Sequence, residues 1–222
     1  MKINLKYIYN SKKGIKREKN QDRIFIVEKD NYYIFMIFDG VSSYPFSYLF
    51  INEFKKQFRS KFKKLQISEV NLSEILYQAH NDVLNLGIKG MSTVSILFFD
   101  NKNKNIGFIN IGDSRIYIFT NQFLEKITKD DSLLGRKNII TKYLGLESLN
   151  LNDFKMKKLD FGFNFLICTD GFYGLMENNL KEYFEAFNFK NFKNIERKLT
   201  TLQKRKNKDD SSYIIIKNEI SD

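Results

Sequence analysis

Cysteine, histidine and proline are nearly absent from this chain of 222 residues: each occurs once, as Cys168, His80 and Pro45. A lone cysteine cannot close an internal disulfide, and no Cys/His spacing suits zinc. Cys168 ends the apolar run Phe163-Asn164-Phe165-Leu166-Ile167-Cys168, where nothing nearby lowers a thiol pKa. A buried, inert thiol is expected there rather than a nucleophile. His80 falls inside an amphipathic helical pattern and reads as an ordinary helix residue. Any Cys-His or Ser-His-Asp machinery would have to use this one imidazole. Long apolar runs are missing too. None approaches the roughly 18 residues of a membrane span. The longest candidate, Tyr32 to Phe38, is strand length. Met1-Lys2-Ile3-Asn4-Leu5-Lys6 alternates polar and apolar residues and lacks the apolar core and cleavage site of a secretory leader. A cytoplasmic protein without membrane association is expected. With one proline and no linker-like, repeated or low-complexity stretch, a single domain over residues 1–222 is expected.

The hydrophobic content of 42% and aromatic content of 15% are those of a folded globule with one sizeable core. The net charge of +11 comes from scattered lysines. The denser runs, Lys55-Lys56 through Lys63-Lys64 and Lys204-Arg205-Lys206, share helical segments with regularly spaced apolar residues, as on a solvated face. Nucleic-acid binding is therefore not expected, and a basic surface suits acidic, phosphorylated partners equally well.

Ile24 to Val27 and Tyr32 to Phe38 read as strands joined by the turn Glu28-Lys29-Asp30-Asn31. A helix from about Pro45 carries Phe46, Phe50, Phe54, Phe58 and Phe62 every four residues, with Leu49 and Leu65 beside them as one apolar stripe. A second helix spans Leu72 to Leu86, with Asn71 as its cap and Gly87 at its end. Thr93 to Phe99, Ile106 to Ile111, Arg115 to Phe119 and Phe123 to Ile127 read as a β-meander. Strands around Phe154 to Leu159 and Phe163 to Cys168, helices near Leu180 to Phe187 and Ile195 to Leu202, and a final strand Tyr213 to Lys217 complete the order. This predicts an α+β fold, a four-layer α-β-β-α sandwich of two antiparallel sheets with helix pairs outside.

Acids sit at the strand ends. Asp22 precedes Ile24; Asp39 follows Phe38 and precedes Gly40; Asp113 follows Gly112; Asp170 follows the strand ending at Cys168 and precedes Gly171; Asp209 and Asp210 precede the last strand. Singly, Asp-Gly is a common turn. Together, strands ending at one edge of a sandwich would crowd these carboxylates, which repel unless cations neutralise them. Oxygen donors without sulfur or imidazole favour Mg²⁺ or Mn²⁺ over zinc.

The ordered segments are Gly14-Ile15-Lys16-Arg17 through Asn20-Gln21-Asp22, Phe38-Asp39-Gly40, Gly90-Met91-Ser92-Thr93, and Asn110-Ile111-Gly112-Asp113-Ser114-Arg115. Thr128-Lys129-Asp130-Asp131-Ser132, Tyr143-Leu144-Gly145, Cys168-Thr169-Asp170-Gly171 and Asp209-Asp210-Ser211-Ser212 follow. In this order, over nearly the whole chain, they resemble the metal-dependent PPM, or type 2C, protein phosphatases, in particular bacterial members. The resemblance implies hydrolysis of phosphoserine and phosphothreonine in proteins by a water activated between two Mn²⁺ or Mg²⁺ ions. By position Asp39 would bridge both ions and the Gly40 carbonyl would bind one. Asp170 and Asp209 would hold the other. Asp22 would act directly or through a water shell, and Asp113 would serve a third, weaker ion. Arg17 matches the phosphate-holding arginine. Phosphoprotein substrates, a cognate Ser/Thr kinase and a monomeric state are the implied company.

The chain also departs from the family pattern. Val41-Ser42-Ser43 follows Asp39-Gly40 where eukaryotic members carry the general-acid histidine, so leaving-group protonation falls to water or another group. Gln21 replaces an acid of many members, and Asp131 a frequent histidine. Ten residues separate Ser132 from Tyr143, which implies a shortened flap near 132–143. The alternative reading is a catalytically silent scaffold of the same fold, against which the retention of Asp39, Asp170 and Asp209 speaks.

Overall fold

The protein was analysed as a computed structural model, which describes residues 4–29, 32–41, 44, 46–62, 69–204 and 206–219. Pro45, Leu65 and the lysines and arginine at 63, 64 and 205 lie outside them, as do Ser42 and Ser43.

Alternating side chains build the layers. Strands β1 (Asn4–Lys12), β2 (Arg23–Lys29) and β3 (Tyr32–Phe38) open the chain. On β3, Ile34, Met36 and Phe38 point to one hydrophobic cluster, while Phe35 and Ile37 point to another. That is the period of two expected of a strand covered on both faces. Helices α1 (Ser47–Phe62) and α2 (Glu69–Asn85) lie over the first face. Strands β4 (Val94–Asp100) and β5 (Asn105–Ile111) complete that half together with the later β10 (Lys157–Leu159). The sheet order there is β10-β5-β4-β3-β2, all antiparallel.

The chain then changes sheet. β6 (Arg115–Phe119) and β7 (Leu124–Lys126) belong to the second sheet, so the expected meander is divided between two sheets after β5. The break falls at Gly112, whose φ of +103° turns the backbone out of the first sheet. A short hairpin, β8 (Ser132–Leu133) with β9 (Arg136–Ile140), occupies the expected flap region. The expected strand at 154–159 is partly a 3₁₀ turn, Leu151–Phe154, capped by Asn150, followed by β10 (Lys157–Leu159). β11 (Asn164–Cys168) leads into α3 (Asp170–Glu177), α4 (Leu180–Phe187) and α5 (Phe192–Gln203), and β12 (Ser211–Glu219) ends the order. The second sheet runs β1-β12-β11-β6-β7.

Three apolar interlayers result. One lies under α1 and α2, one under α3, α4 and α5, and one between the sheets from residues such as Phe35, Leu97, Phe165, Ile167 and Ile214. The four-layer α-β-β-α sandwich is therefore as expected, with three helices rather than a pair over the second sheet. On α1, Phe50, Phe54, Phe58 and Phe62 are buried, whereas Leu49, and Phe46 just before the helix, are 45% and 57% exposed. Leu49 lies one residue, about 100°, off the Phe50 stripe, and Phe46 precedes the first helical residue, so neither shares the buried face. Asn71 lies inside α2, which begins at Glu69, and so is not its cap; Gly87 does end the helix. No helix among the described residues is long and apolar enough to cross a membrane.

His80 is fully buried on α2, with its ring against Phe50 and Phe154, and its Nε2 accepts from the Gly145 amide at 3.1 Å. Burial lowers its pKa to about 4. The unfolded chain takes up this proton first as pH falls, from about 6.5 downward. The neutral imidazole thus stabilises the fold above that pH, and the contribution is lost as pH drops to about 4. The unfolding free energy from urea melts is expected to fall over this window by on the order of 3 kcal/mol from this group, and His80→Gln to remove that part of the slope. An unchanged slope in the variant would place the acid sensitivity elsewhere.

Candidate active site

Strand register brings the acids together. Arg23 pairs with Phe38, Val94 with Ile111, and Cys168 with both Arg115 and Tyr213. Asp22, Asp39, Asp113, Asp170 and Asp209 each flank one of these rows, so all five stand at one end of the sandwich. Their carboxyls sense one another. Asp39 is pushed well above the usual carboxylate range, by burial first and then by Asp170, Asp22 and Asp113. Asp113 is raised to about 6 by burial and Asp170. Asp170 opens to solvent on one side and is hemmed in by protein on the other; burial and Asp209 raise it.

Asp22 is raised to about 8, chiefly by burial. Its Oδ2 accepts from Ser212 Oγ at 2.7 Å and Thr169 Oγ1 at 3.0 Å. Its Oδ1 is buried without a hydrogen-bond partner, as is the neighbouring Gln21 Oε1. Orphaned buried oxygens beside crowded carboxylates are the donor chemistry that hard divalent cations take. The residues therefore fit the implied metals in kind. As they stand, no three acidic side chains among the described residues converge into a coordination cage. Two carboxylates are engaged elsewhere: Asp22 by its hydroxyl pair, and Asp209 by the Arg17 guanidinium through both Nε and Nη2.

Several residues given no role by the sequence build this site. Asp39 is clamped by Thr93, whose amide donates to the Asp39 carbonyl at 2.9 Å while Thr93 Oγ1 accepts from the Asp39 amide at 3.2 Å. Thr93 Oγ1 in turn meets Ser114 Oγ at 2.7 Å. Ser92 bridges Gly40 to Leu144. Buried Asp210 accepts from the amides of Gly14 and Gln21 at 2.9 and 2.8 Å, pinning the segment that carries Arg17. The one available signal was the doubled acid before the final strand. Asp131 holds the Gly112 turn reciprocally: its amide donates to the Gly112 carbonyl and its Oδ2 accepts from the Gly112 amide, both at 3.0 Å.

Asp170 is not a turn residue but the first residue of α3, and Gly171 is the close-approach position. A Cβ on Gly171 would lie 2.0 Å from the Asp210 carbonyl oxygen. Only hydrogen there lets the Asp209-Asp210 segment before β12 lie against the start of α3. Gly171→Ala is accordingly expected to push Asp209 away from Asp170, weakening Mn²⁺ binding by at least about tenfold and costing about 1–3 kcal/mol as an overpacked contact. Titration calorimetry with Mn²⁺ beside a urea melt checks both; wild-type metal affinity in the variant would contradict the close-packing argument.

The two single residues of the sequence are bystanders here. Cys168 is buried, and burial raises its thiol pKa well above the ordinary value. His80 is committed to Gly145 and the core.

A family model described as Protein phosphatase 2C matches residues 13–207. No curated protein matches the sequence significantly. Among solved structures, the S. agalactiae serine/threonine phosphatase is similar at a TM-score of 0.79 and 17% identity, covering 97% of this chain and 100% of that one. Serine/threonine phosphatase Stp1 from Staphylococcus aureus follows at 0.75 and 19% identity, over 99% and 96% of the two chains. The catalytic domain of PstP, in complex with two manganese ions, matches at 0.73 and 17% identity, over 99% of this chain and 100% of that one. These likenesses carry the fold, and the family match spans most of the chain. The chain belongs to the protein phosphatase 2C family and is a protein phosphatase.

Proposed function

We propose that the chain hydrolyses phosphoserine and phosphothreonine in proteins, the products of a Ser/Thr kinase, with Mn²⁺ or Mg²⁺ held at the acidic end of the sandwich. The supporting observation is that strand register stands five acids from separate strand ends at one end of the sandwich, beside one arginine. Asp39, Asp170 and Asp209 would hold two ions, the Gly40 carbonyl would contribute to one, Asp22 would act directly or through water, and Asp113 would serve a third. When bound, the ions supply a water acidic enough at neutral pH to attack phosphorus.

The chain's own residues do the rest. Thr93 fixes the Asp39 backbone, and Thr169 and Ser212 orient Asp22. Arg17 presents a planar fork to the phosphate. Asp209 would hold a cation only with part of its pair to Arg17 given up, which would leave the Arg17 fork free for substrate. No histidine stands ready as general acid, because His80 is buried against Gly145. Leaving-group protonation therefore falls to water or another group.

The pure protein should hydrolyse a small aryl phosphate and a phosphoserine peptide with Mn²⁺ and stop with chelator. No Mn²⁺-dependent turnover would leave the silent-scaffold reading. Arg17→Ala is expected to weaken inhibition by inorganic phosphate by about tenfold or more while Mn²⁺ still binds. Loss of metal binding in that variant would remove Arg17 from the phosphate role.

A further inference from the structure

At the pole opposite the acids, the outer face of the second sheet is not covered to its end by helix. Strand β12 runs from Ser211 beside the acids to Glu219, so Lys217 lies roughly 25 Å from Asp209 at about 3.4 Å per residue. There the sheet and the start of α5 enclose an open groove of about 600 Å³, into which Lys6, Lys190, Lys193 and Lys217 project. Asn164, Asn191 and Asn218 supply amides and Phe192 the one aromatic wall; no carboxylate is among these lining residues.

Two features make this more than a solvated face. Lys6 and Lys217 are direct cross-strand partners in the β1–β12 ladder. Directly opposite side chains stand on the same face of a sheet, so both amines reach the outer face of the second one. Lys217 is also partly buried: its amine donates to the Phe189 carbonyl at 2.7 Å and stands 5.9 Å from the Phe192 ring. Lys190 and Lys193 stand exposed on either side of the Asn191 cap of α5, whose side chain accepts from the Lys193 amide.

We propose that this groove docks an acidic segment of a phosphoprotein substrate, a run of aspartate and glutamate distant from the phosphorylated residue. The assignment of the occupant as substrate rests on the phosphatase reading; the anion-binding groove itself does not. An extended acidic stretch matches an open groove lined by four lysines and three amides, and one aromatic ring gives no base-stacking platform of the kind single-stranded nucleic acid uses. Docking there raises the local concentration of the phosphorylated residue at the catalytic end, lowering KM without touching the chemistry.

The test uses a fluorescent peptide of about eight Asp and Glu residues, ~26 Å when extended, and anisotropy without added metal. Lys190→Glu/Lys193→Glu is expected to weaken binding by at least about tenfold, Lys190→Gln/Lys193→Gln by less, and added salt to weaken the wild type. All variants should hydrolyse aryl phosphate at the wild-type rate. A phosphoserine peptide linked to the acidic run should show a lower KM than one linked to Gly/Ser, and only in the wild type. Equal peptide binding by the variants overturns the proposal. So does competitive inhibition of aryl phosphate hydrolysis by the acidic peptide, or tighter capture of single-stranded DNA or phosphatidylserine vesicles through the same lysines. If the wild type hydrolyses neither phosphate ester yet binds the peptide through Lys190 and Lys193, the phosphatase reading fails and the anion groove stands.

Discussion

Asp39→Asn is expected to lower Mn²⁺-dependent kcat/KM by on the order of 10³-fold, because the proposed bridging ligand accounts for several kcal/mol of charge stabilisation. The same substitution is expected to make the metal-free protein more stable. Asp39 is crowded by Asp170, Asp22 and Asp113, whose proximity raises its carboxyl well above its ordinary range. An amide in its place removes that repulsion. Thr93 grips the Asp39 backbone rather than its side chain, so the loop keeps its hydrogen bonds. Thermal melts separate this from simple misfolding: Mn²⁺ should raise the wild-type midpoint and leave that of the variant almost unmoved. A variant that melts lower than the wild type without metal, or that keeps its activity, would remove Asp39 from the centre of the site.

The acids were legible in the sequence because each stands at the end of an apolar strand, and the ladder register carries strand ends to one pole. The side-chain engagements were not. Asp22 meets Ser212 and Thr169 across separations of 190 and 147 residues, and Arg17 meets Asp209 across 192. Such pairings depend on which strands become neighbours, which local pattern does not encode. The division of the expected meander has the same origin: β4 through β7 alternate alike whichever sheet they join, and the turn at Gly112 decides it. Helix α3 was missed because Asp170-Gly171 reads as a turn when its neighbours are unknown. Strand β1 was missed because Asn4–Lys12 is rich in polar residues, and its buried side is recognisable only once β12 lies beside it.

Arg115→Met is expected to destabilise the protein by about 3–5 kcal/mol, the cost of removing one partner from a buried ion-pair network. The Arg115 side chain is 6% exposed. It meets Asp130 with Nε and Nη2, Glu177 with Nη1 and the Tyr117 hydroxyl at 3.3 Å, and its guanidinium lies 3.6 Å from the Tyr173 ring centroid. Glu177 is half-exposed and can turn to water, so its share is small. Asp130 is nearly enclosed and would be left, among the described residues, with Lys126 as its ion-pair partner. Arg115 also stands two residues after Asp113 and holds α3, which begins at Asp170, against β6. Activity loss in the variant should therefore track the unfolded fraction and the looseness of α3, rather than a missing chemical group. Arg115→Lys keeps the charge but loses the planar fork, and should recover less than half of the stability. Double-mutant cycles with Asp130→Asn, read by urea denaturation, isolate the pair: a coupling near zero would show that Arg115 acts through its packing on Tyr173 instead.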